Sequence, residues 1–349
     1  MNDTIKIETN IQDAKKLGYF EKLLPLWVAI CIIIGILLSL IPGLSNILKA
    51  LVIPYTGISI PIGICLFLMM YPAMLNLQLT ELKKLGKNPI PIILTLISNW
   101  IVAPLVGLLV ARIFLTGNDD LILAIILLSS SPCTAMVLVW GWMARGNQEQ
   151  NVINTSINTI TIIFLYVGIV TLLTGIQNIP IDPLSLLISL VFFIGLPLLA
   201  GIVSKKILIS SKGEIWFEKK YRPFVGKISI VALLTTLIIL FSMNGDVLRN
   251  YPELLILVSI PLLVGFVIVV GYNILMTKIF KLYYREAIIT VIIGSSSHFE
   301  IAIATAVGIG SAIAALGTTM GLFWEVPVML SIVYLGRFLL KKGFWKENQ

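Results

Sequence analysis

Two short stretches of this sequence bring together residue types that can bind, ionise and bend a helix inside apolar surroundings. The first is SSSPCT, Ser129–Thr134; the second is GSSSHFE, Gly294–Glu300. Pro132 lacks a backbone N–H and clashes with the turn before it. Gly294 and the serines after it weaken a helix by backbone entropy and by competing hydrogen bonds. Both stretches therefore predict helix breaks, with Pro132 and Gly294 as the breaking residues. Cys133 offers a soft sulfur to a thiophilic solute, while Ser131, Thr134, Ser297 and His298 offer hydrogen-bonding groups. Glu300 is the sharpest residue, because a carboxylate at bilayer depth costs about 3 kcal/mol on insertion scales unless it faces water, a partner or a proton. It is the expected proton carrier. Glu325, in LFWEVPVML two residues before Pro327, is a second such carboxylate, open to either proton coupling or a structural partnership.

The blander reading of either stretch is a set of hydroxyls bonded back to their own helix. His298 is the single histidine, two residues from Glu300, so the two point apart unless the helix is unwound there. Cys31 and Cys65 read as small hydrophobes. Three widely spaced cysteines in apolar segments do not form a disulfide framework. A single thiolate without a nearby His or Cys partner cannot close a metal cage, so the site is expected to bind a soft solute weakly and let it go, which suits a carrier. Asn99, with Trp100 and Pro104, and Asn154, Thr155 and Asn158 are polar groups at similar depth, suited to lining a site or to interhelical hydrogen bonds.

The elements that must position these residues follow from the apolar pattern. The 349 residues are 58% hydrophobic and 12% charged, against about 25% charged in a soluble domain. Ten apolar runs are legible, near 25–43, 48–76, 89–115, 120–144, 151–176, 183–204, 225–245, 253–279, 286–309 and 312–339. Each is long enough for a hydrocarbon core of about 30 Å. The chain reads as an all-α polytopic membrane protein. The first 24 residues are polar and mixed in charge, without a signal-peptide cleavage site. With a cytoplasmic N-terminus, 22 of the 25 Lys and Arg fall on the cytoplasmic side and three, Lys49, Arg112 and Arg249, fall outside. That asymmetry satisfies the positive-inside rule and puts both termini in the cytoplasm, in the cell membrane. The net charge of +8 is thus a topology signal, and the loops are too short for a nucleic-acid-binding domain.

Ten spans divide into two sets of five, so the second set is inserted upside down, the plan of many secondary transporters. The expected division is a cytoplasmic segment 1–24, a first five-helix repeat 25–176, a second repeat 183–340 and a cytoplasmic tail 341–349. Spans four and nine are then equivalent, and they carry the two polar stretches. Broken helices at membrane depth are tolerated where they line a cavity, and their half-helix N-termini supply donors to an oxygen-rich solute. The polar segment 205–227 reads as the long connector between spans six and seven.

Several stretches carry a resemblance to the arsenite efflux permeases of the bile acid/auxin/arsenite transporter superfamily. They are LPLWVAI, LFLMMYPAM, SNWIVAPLVG, SSSPCTAMVLVWGWMARGNQEQN, FEIAIATAVGIG and WEVPVMLSIVYL, spread from about residue 20 to 340. The resemblance implies ten spans, an inverted repeat and export of arsenite or antimonite against protons. It maps the family's thiol onto Cys133 and its glutamate onto Glu300, with Glu325 in the last-span segment. Membrane lipid, protons and the metalloid are the implied partners, with no cofactor, no catalytic residue and no nucleic acid. One departure stands out: the family pattern has two asparagines before Phe-Glu, where this chain has Ser297 and His298. An imidazole there would act on the protonation of Glu300 or alter the solute. The competing function on the same fold is sodium-coupled carriage of an organic anion, which has no need of Cys133. An intramembrane enzyme or receptor is disfavoured, since no nucleotide motif, paired catalytic carboxylates or soluble domain is legible.

Overall fold

The computed structural model describes residues 23–51, 59–75, 89–134, 136–250 and 253–347. The cytoplasmic segment expected over 1–24 falls almost wholly outside the described residues, as do Lys83, Lys84 and Lys87. The described chain is helical, with no β-strand among the described residues. The helices are α1 (Leu24–Ser39), α2 (Leu44–Ala50), α3 (Ile60–Leu75), α4 (Ile90–Phe114), α5 (Asp119–Ser129), α6 (Met136–Met143) and α7 (Gln148–Ile176). They continue as α8 (Leu186–Lys212), α9 (Glu214–Met243), α10 (Gly245–Asn250), α11 (Glu253–Ile279), α12 (Tyr284–Gly294), α13 (Phe299–Gly308) and α14 (Ala312–Lys341). Among the described residues six helices, α4, α7, α8, α9, α11 and α14, are each long and apolar enough to cross a membrane unaided. The 30 residues of α14 span about 45 Å at 1.5 Å per residue, more than a hydrocarbon core requires.

Proline shapes three of these helices in one way. Each of α4, α8 and α9 contains a five-residue π-turn, at Ser98–Val102, Val191–Gly195 and Phe217–Tyr221. A proline follows each turn by two residues: Pro104, Pro197 and Pro223. A proline inside a helix donates nothing to the carbonyl four residues back and crowds it. Widening one turn relieves that crowding without ending the helix.

The expectation for 205–227 changes here. It is not an irregular connector: α8 runs to Lys212, and α9 begins at Glu214. Only Gly213 interrupts them, at φ +82°, a conformation glycine adopts without a Cβ clash. Lys206, Lys212, Lys219, Lys220 and Lys227 ride on exposed helix faces, while Lys205 and Arg222 are partly buried. Lys205 donates to the Leu75 carbonyl, and Tyr221 bonds Tyr71 at 2.8 Å, so polar residues tie these helix ends to α3.

The helices pack as two groups. In one, α9 lies against α1 and α3, and α8 lies against α3. In the other, α4, α5, α6, α7, α11, α12, α13 and α14 enclose one another. The groups meet where α13 touches α3 and the start of α8, and where α14 touches α1. Helices α5 and α13 are, with α12, the most buried, and their apolar residues Leu121–Leu128 and Ile301–Val307 are all buried. Neither faces lipid, so both are surrounded by protein and can tolerate polar interruptions at their ends.

The first group depends on a close approach at Gly35 of α1. A Cβ there would lie 2.5 Å from Phe241 Cβ and 2.9 Å from the Ile238 carbonyl oxygen. Neither obstacle is the mobile end of a side chain. Gly35→Ala is expected to destabilise the protein by about 1–3 kcal/mol through overpacking. Gly168→Ala, at an open position inside α7 where nothing lies within 4 Å, is expected to cost nothing and to gain up to about 1 kcal/mol. Thermal unfolding of the two variants in detergent separates these outcomes.

Candidate functional site

The two polar stretches end helices by related local chemistry. After α5 the chain turns at Ser130, and the Ser131 hydroxyl reaches back to the carbonyls of Leu127 and Leu128 at 3.0 and 3.1 Å. Pro132 stops the helix from resuming at once, and Met136–Met143 forms α6. After α12 the Ser296 hydroxyl reaches back to the Ile293 carbonyl at 3.0 Å, and α13 starts at Phe299. In each case serines satisfy carbonyls that the broken ladder leaves open.

The breaks also satisfy each other. An isolated antiparallel bridge pairs Pro132 with Ser297, and the His298 N–H donates to the Ser131 carbonyl at 2.6 Å. The Ser131 hydroxyl hydrogen is shared with a third acceptor, the His298 carbonyl, at 3.2 Å. Side chains extend the pairing. His298 Nε2 lies 2.9 Å from Thr134 Oγ1, and its Nδ1 lies 2.8 Å from Glu300 Oε2. The second is an ion-pair distance without hydrogen-bond alignment. Unwinding before Phe299 thus brings His298 and Glu300 together, although a continuous helix would turn them apart. From α14, Glu325 accepts from the Ser297 hydroxyl at 3.2 Å through Oε2. Its Oε1 is buried without a partner among the described residues. His298 is fully buried, and Cys133 and Glu325 are each 2% exposed, while Glu300 retains a partly open side chain in the first turn of α13.

A second ring of polar residues, Ser98, Asn99, Asn158 and Asn273, holds the breaks from behind; the sequence points to Asn99 and Asn158 but not to Ser98 and only faintly to Asn273. Ser98 and Asn99 are neighbours in the π-turn of α4, and they serve different breaks. The Ser98 hydroxyl donates to the Gly294 carbonyl at 2.7 Å and accepts from Asn273 of α11 at 2.8 Å. Asn273 also donates to Ser295 Oγ at 3.0 Å. Asn99 donates to Asn158 Oδ1 at 3.2 Å, and Asn158 donates to the Cys133 carbonyl at 3.3 Å. Gly294 leaves room for the Asn273 amide, which would have to shift for a Cβ there, since the Cβ would come within 2.9 Å of Asn273 Oδ1. A cavity of about 60 Å³ adjoins Ser295, Ser296 and Ser297, between α4, α5 and α11. Asn273 stands alone as an amide in the long apolar run of α11, which is the one sequence signal that pointed to it.

Ser131, Pro132, Cys133, Thr134, Gly294, Ser297, His298, Glu300 and Glu325 therefore lie in or against one crossing. Cys31 and Cys65 sit apart from it, in α1 and α3, and none of the three cysteines is in a disulfide. Trp100 instead ties α4 to Thr161 of α7 at 3.1 Å, and Asn154 donates to Thr95 at 3.1 Å. Among the described residues no group of three His, Cys, Asp or Glu side chains could hold a metal ion. The crossing can offer one thiol, hydroxyls, an imidazole and two carboxylates to a solute that needs no closed coordination shell.

Comparison with known proteins gives a consistent result. A family model described as the Sodium Bile acid symporter family matches residues 63–251. An uncharacterized transporter of Synechocystis sp. is 38% identical over 94% of this chain and 90% of its own length. The arsenical-resistance protein Acr3 of Alkaliphilus metalliredigens is 34% identical over 93% of this chain and 94% of its own. Its namesake in Corynebacterium glutamicum is 29% identical over 94% and 92%.

Asn158 makes the geometry of the first break testable. Asn158→Leu leaves the buried Asn99 amide without the acceptor Asn158 Oδ1 and removes the Asn158 bond to the Cys133 carbonyl. At about 1–3 kcal/mol for an unsatisfied buried group, the variant is expected to lose at least about 1 kcal/mol of stability, read as a lower melting temperature in detergent.

Proposed function

The chain belongs to the Sodium Bile acid symporter family, with Acr3 arsenical-resistance proteins among its relatives, and we propose that this membrane transporter exports trivalent arsenic, as arsenite or antimonite, in exchange for protons. The observation that carries the reading is the polar chain Thr134–His298–Glu300, at 2.9 and 2.8 Å, which begins beside Cys133 and joins a metalloid ligand to a proton carrier.

The architecture we propose has ten crossings in two inverted repeats. The first, within 25–176, contains α1, α3, α4, the α5–α6 pair and α7. The second, within 183–340, contains α8, α9, α11, the α12–α13 pair and α14. The broken pairs are crossings four and nine. Each helix group draws on both repeats, as an inverted duplication would. The orientation draws support from the clustering of charge. Arg337 bonds the Met143 carbonyl, and the Asn147 N–H donates to Arg285, which gathers Arg145, Arg285 and Arg337 at one end. Asp119, Asp120 and Asp182 line a pocket at the ends of the opposite connections. The basic end is cytoplasmic in this reading, with residues 1–24 and 341–349 on that side of the cell membrane.

In the proposed cycle neutral arsenous acid reaches the crossing from the cytoplasm. The Cys133 thiol exchanges for one hydroxyl: an As–S bond forms, an As–O bond breaks, and the thiol proton leaves with that hydroxyl as water. Ser131, Thr134, Ser297 and His298 orient the remaining hydroxyls. The reverse exchange on the outer side consumes one water and frees the solute. Glu300 takes up a proton when the site faces out and releases it when the site faces in. Protonation of the site and solute binding then compete, which produces antiport without direct contact between the two ligands. A difference of about 1.4 kcal/mol between the two faces already shifts occupancy tenfold. His298, between Thr134 and Glu300, passes the state of one break to the other, and Glu325 holds Ser297 or shares the proton.

The description of the family as sodium symporters favours a second reading, a sodium-coupled carrier of an organic anion. Everted membrane vesicles separate the two. Cys133→Ser is expected to abolish arsenite uptake, whereas Cys31→Ser and Cys65→Ser keep it. Normal transport by Cys133→Ser would remove the thiol mechanism and favour the organic-anion carrier. Glu300→Gln is expected to lower pH-gradient-driven uptake by at least about tenfold, with Glu300→Asp retaining part of it. Full gradient-driven flux in Glu300→Gln would move the proton to Glu325.

A further inference from the structure

Helix α7 carries a row of buried amides whose use is not accounted for by the crossing. Gln150, Asn151, Asn154 and Asn158 recur at helical spacing on one face, and their exposures are 6%, 0%, 2% and 0%. From Asn151 to Asn158 the row rises about 10 Å along the axis. It starts at the basic end of the molecule, where the Asn147 N–H meets Arg285, and finishes on the Cys133 carbonyl.

The orientation of each amide is dictated by its partner. Gln150 donates to the Glu286 carbonyl at 3.3 Å and to Thr290 at 3.1 Å, and the Thr290 hydroxyl hydrogen is itself directed at Glu286. Asn151 donates to the Val137 carbonyl at 3.1 Å. Asn154 meets Thr95, whose own hydrogen goes to the Pro91 carbonyl at 2.8 Å, so Asn154 must be the donor. Carbonyls and committed hydroxyls can only accept, so each NH2 faces its partner and each oxygen faces away. The result is that Gln150 Oε1, Asn151 Oδ1 and Asn154 Oδ1 are buried and accept no hydrogen bond from any described residue. Only Asn158 has its oxygen filled, by Asn99. Three successive acceptors thus lead from the basic end toward the crossing.

Leaving one such oxygen dry costs about 1–3 kcal/mol, and three in a row make a dry arrangement expensive. The natural complement is a file of hydrogen-bond donors. We infer that the α7 amide row, with α4, α6 and α12 as its walls, lines a hydrated half-channel that connects the basic end to the crossing. The unfilled groups of the row itself are all acceptors, and among the described residues of its walls the Trp140 indole N–H of α6 is the one unfilled donor. It therefore admits water and neutral hydroxylated solutes, which donate, and disfavours anions, whose oxygens would face carbonyl dipoles of like sign. A charged oxyanion is rejected along the path before any contact with Cys133. This deepens the reading of the crossing as the solute site, yet its test uses no arsenic.

The test is substituted-cysteine labelling in inside-out vesicles, with a cationic and an anionic methanethiosulfonate reagent, read residue by residue from peptide masses. Asn154→Cys and Asn151→Cys are the reporters, with Gln150→Cys as a further variant should either fail to accumulate. Phe164→Cys, on the exposed face of the same helix, is the lipid-facing control, and Ser211→Cys, exposed in the last turn of α8, is the open-water control. The cationic reagent is expected to label the row positions at least about tenfold faster than Phe164→Cys, the effect of roughly 1.4 kcal/mol. Its preference over the anionic reagent should exceed the preference at Ser211→Cys. A row that stays unlabelled while Ser211→Cys reacts overturns the half-channel. Equal charge preference at the row and at Ser211→Cys overturns its acceptor lining. A protein that labels as expected but moves no arsenite leaves the half-channel standing and removes the arsenic reading.

Discussion

Every peptide group inside a bilayer must find a partner, and this fold is arranged around two places where the helix cannot supply one. Pro132 with the serines before it, and Gly294 with the serines after it, open the backbone at membrane depth. The hydrogen bond from His298 N–H to the Ser131 carbonyl, with Pro132 bridged to Ser297, lets each break close the other. The rest of the second helix group follows from protecting that contact. Helices α5 and α13 are buried among protein, and α4 bends through a π-turn that sets Ser98 and Asn99 on different breaks. Glycines at 294 and 321 let side chains of neighbouring helices approach closely. Interrupted helices usually expose orphan groups to solvent; here the interruption is shared, and it leaves ionisable side chains where two half-helices begin.

That sharing also explains why the chemistry concentrates where it does. A mid-span carboxylate is costly in isolation, yet Glu300 has an imidazole at 2.8 Å and Glu325 has a hydroxyl at 3.2 Å. The two acids reach adjacent residues of one break, Ser297 and His298, from different helices. Any rearrangement that separates the breaks must therefore disturb both acids and the Thr134 contact together. A site with this connectivity has few independent parts, which is what exchange of two ligands at one location requires.

Much of this was legible in the sequence, for definite reasons. Apolar runs locate helices because length and composition are strongly constrained in a membrane, and proline at 132 and glycine at 294 mark breaks by their backbone chemistry. The pairing of the breaks was legible only from their matching positions in two halves. Other features were hidden. The 205–227 segment is rich in lysine and serine, yet it continues two helices, because exposed charges on a helix surface do not oppose helix formation. The contact of His298 with Glu300 depends on local unwinding that residue spacing alone argues against. Ser98, Asn273, Gln150 and Asn151 were passed over because single polar residues in long apolar runs signal little until their partners, far away in sequence, are known.

The bond between Ser131 and His298 joins positions 167 residues apart, and this has a consequence for biosynthesis. Ribosomes add about 5–20 residues per second, so the first break is made on the order of ten to thirty seconds before the second. During that interval the Ser131 carbonyl and the Thr134 hydroxyl are already synthesised but lack His298, which satisfies them. The half-made chain has reason to stay in a wet or sheltered setting beside the insertion machinery until residue 298 emerges. Final docking of α12 and α13 is then the step that commits the nascent protein to the bilayer, and a chain stopped before it is a natural substrate for membrane quality control.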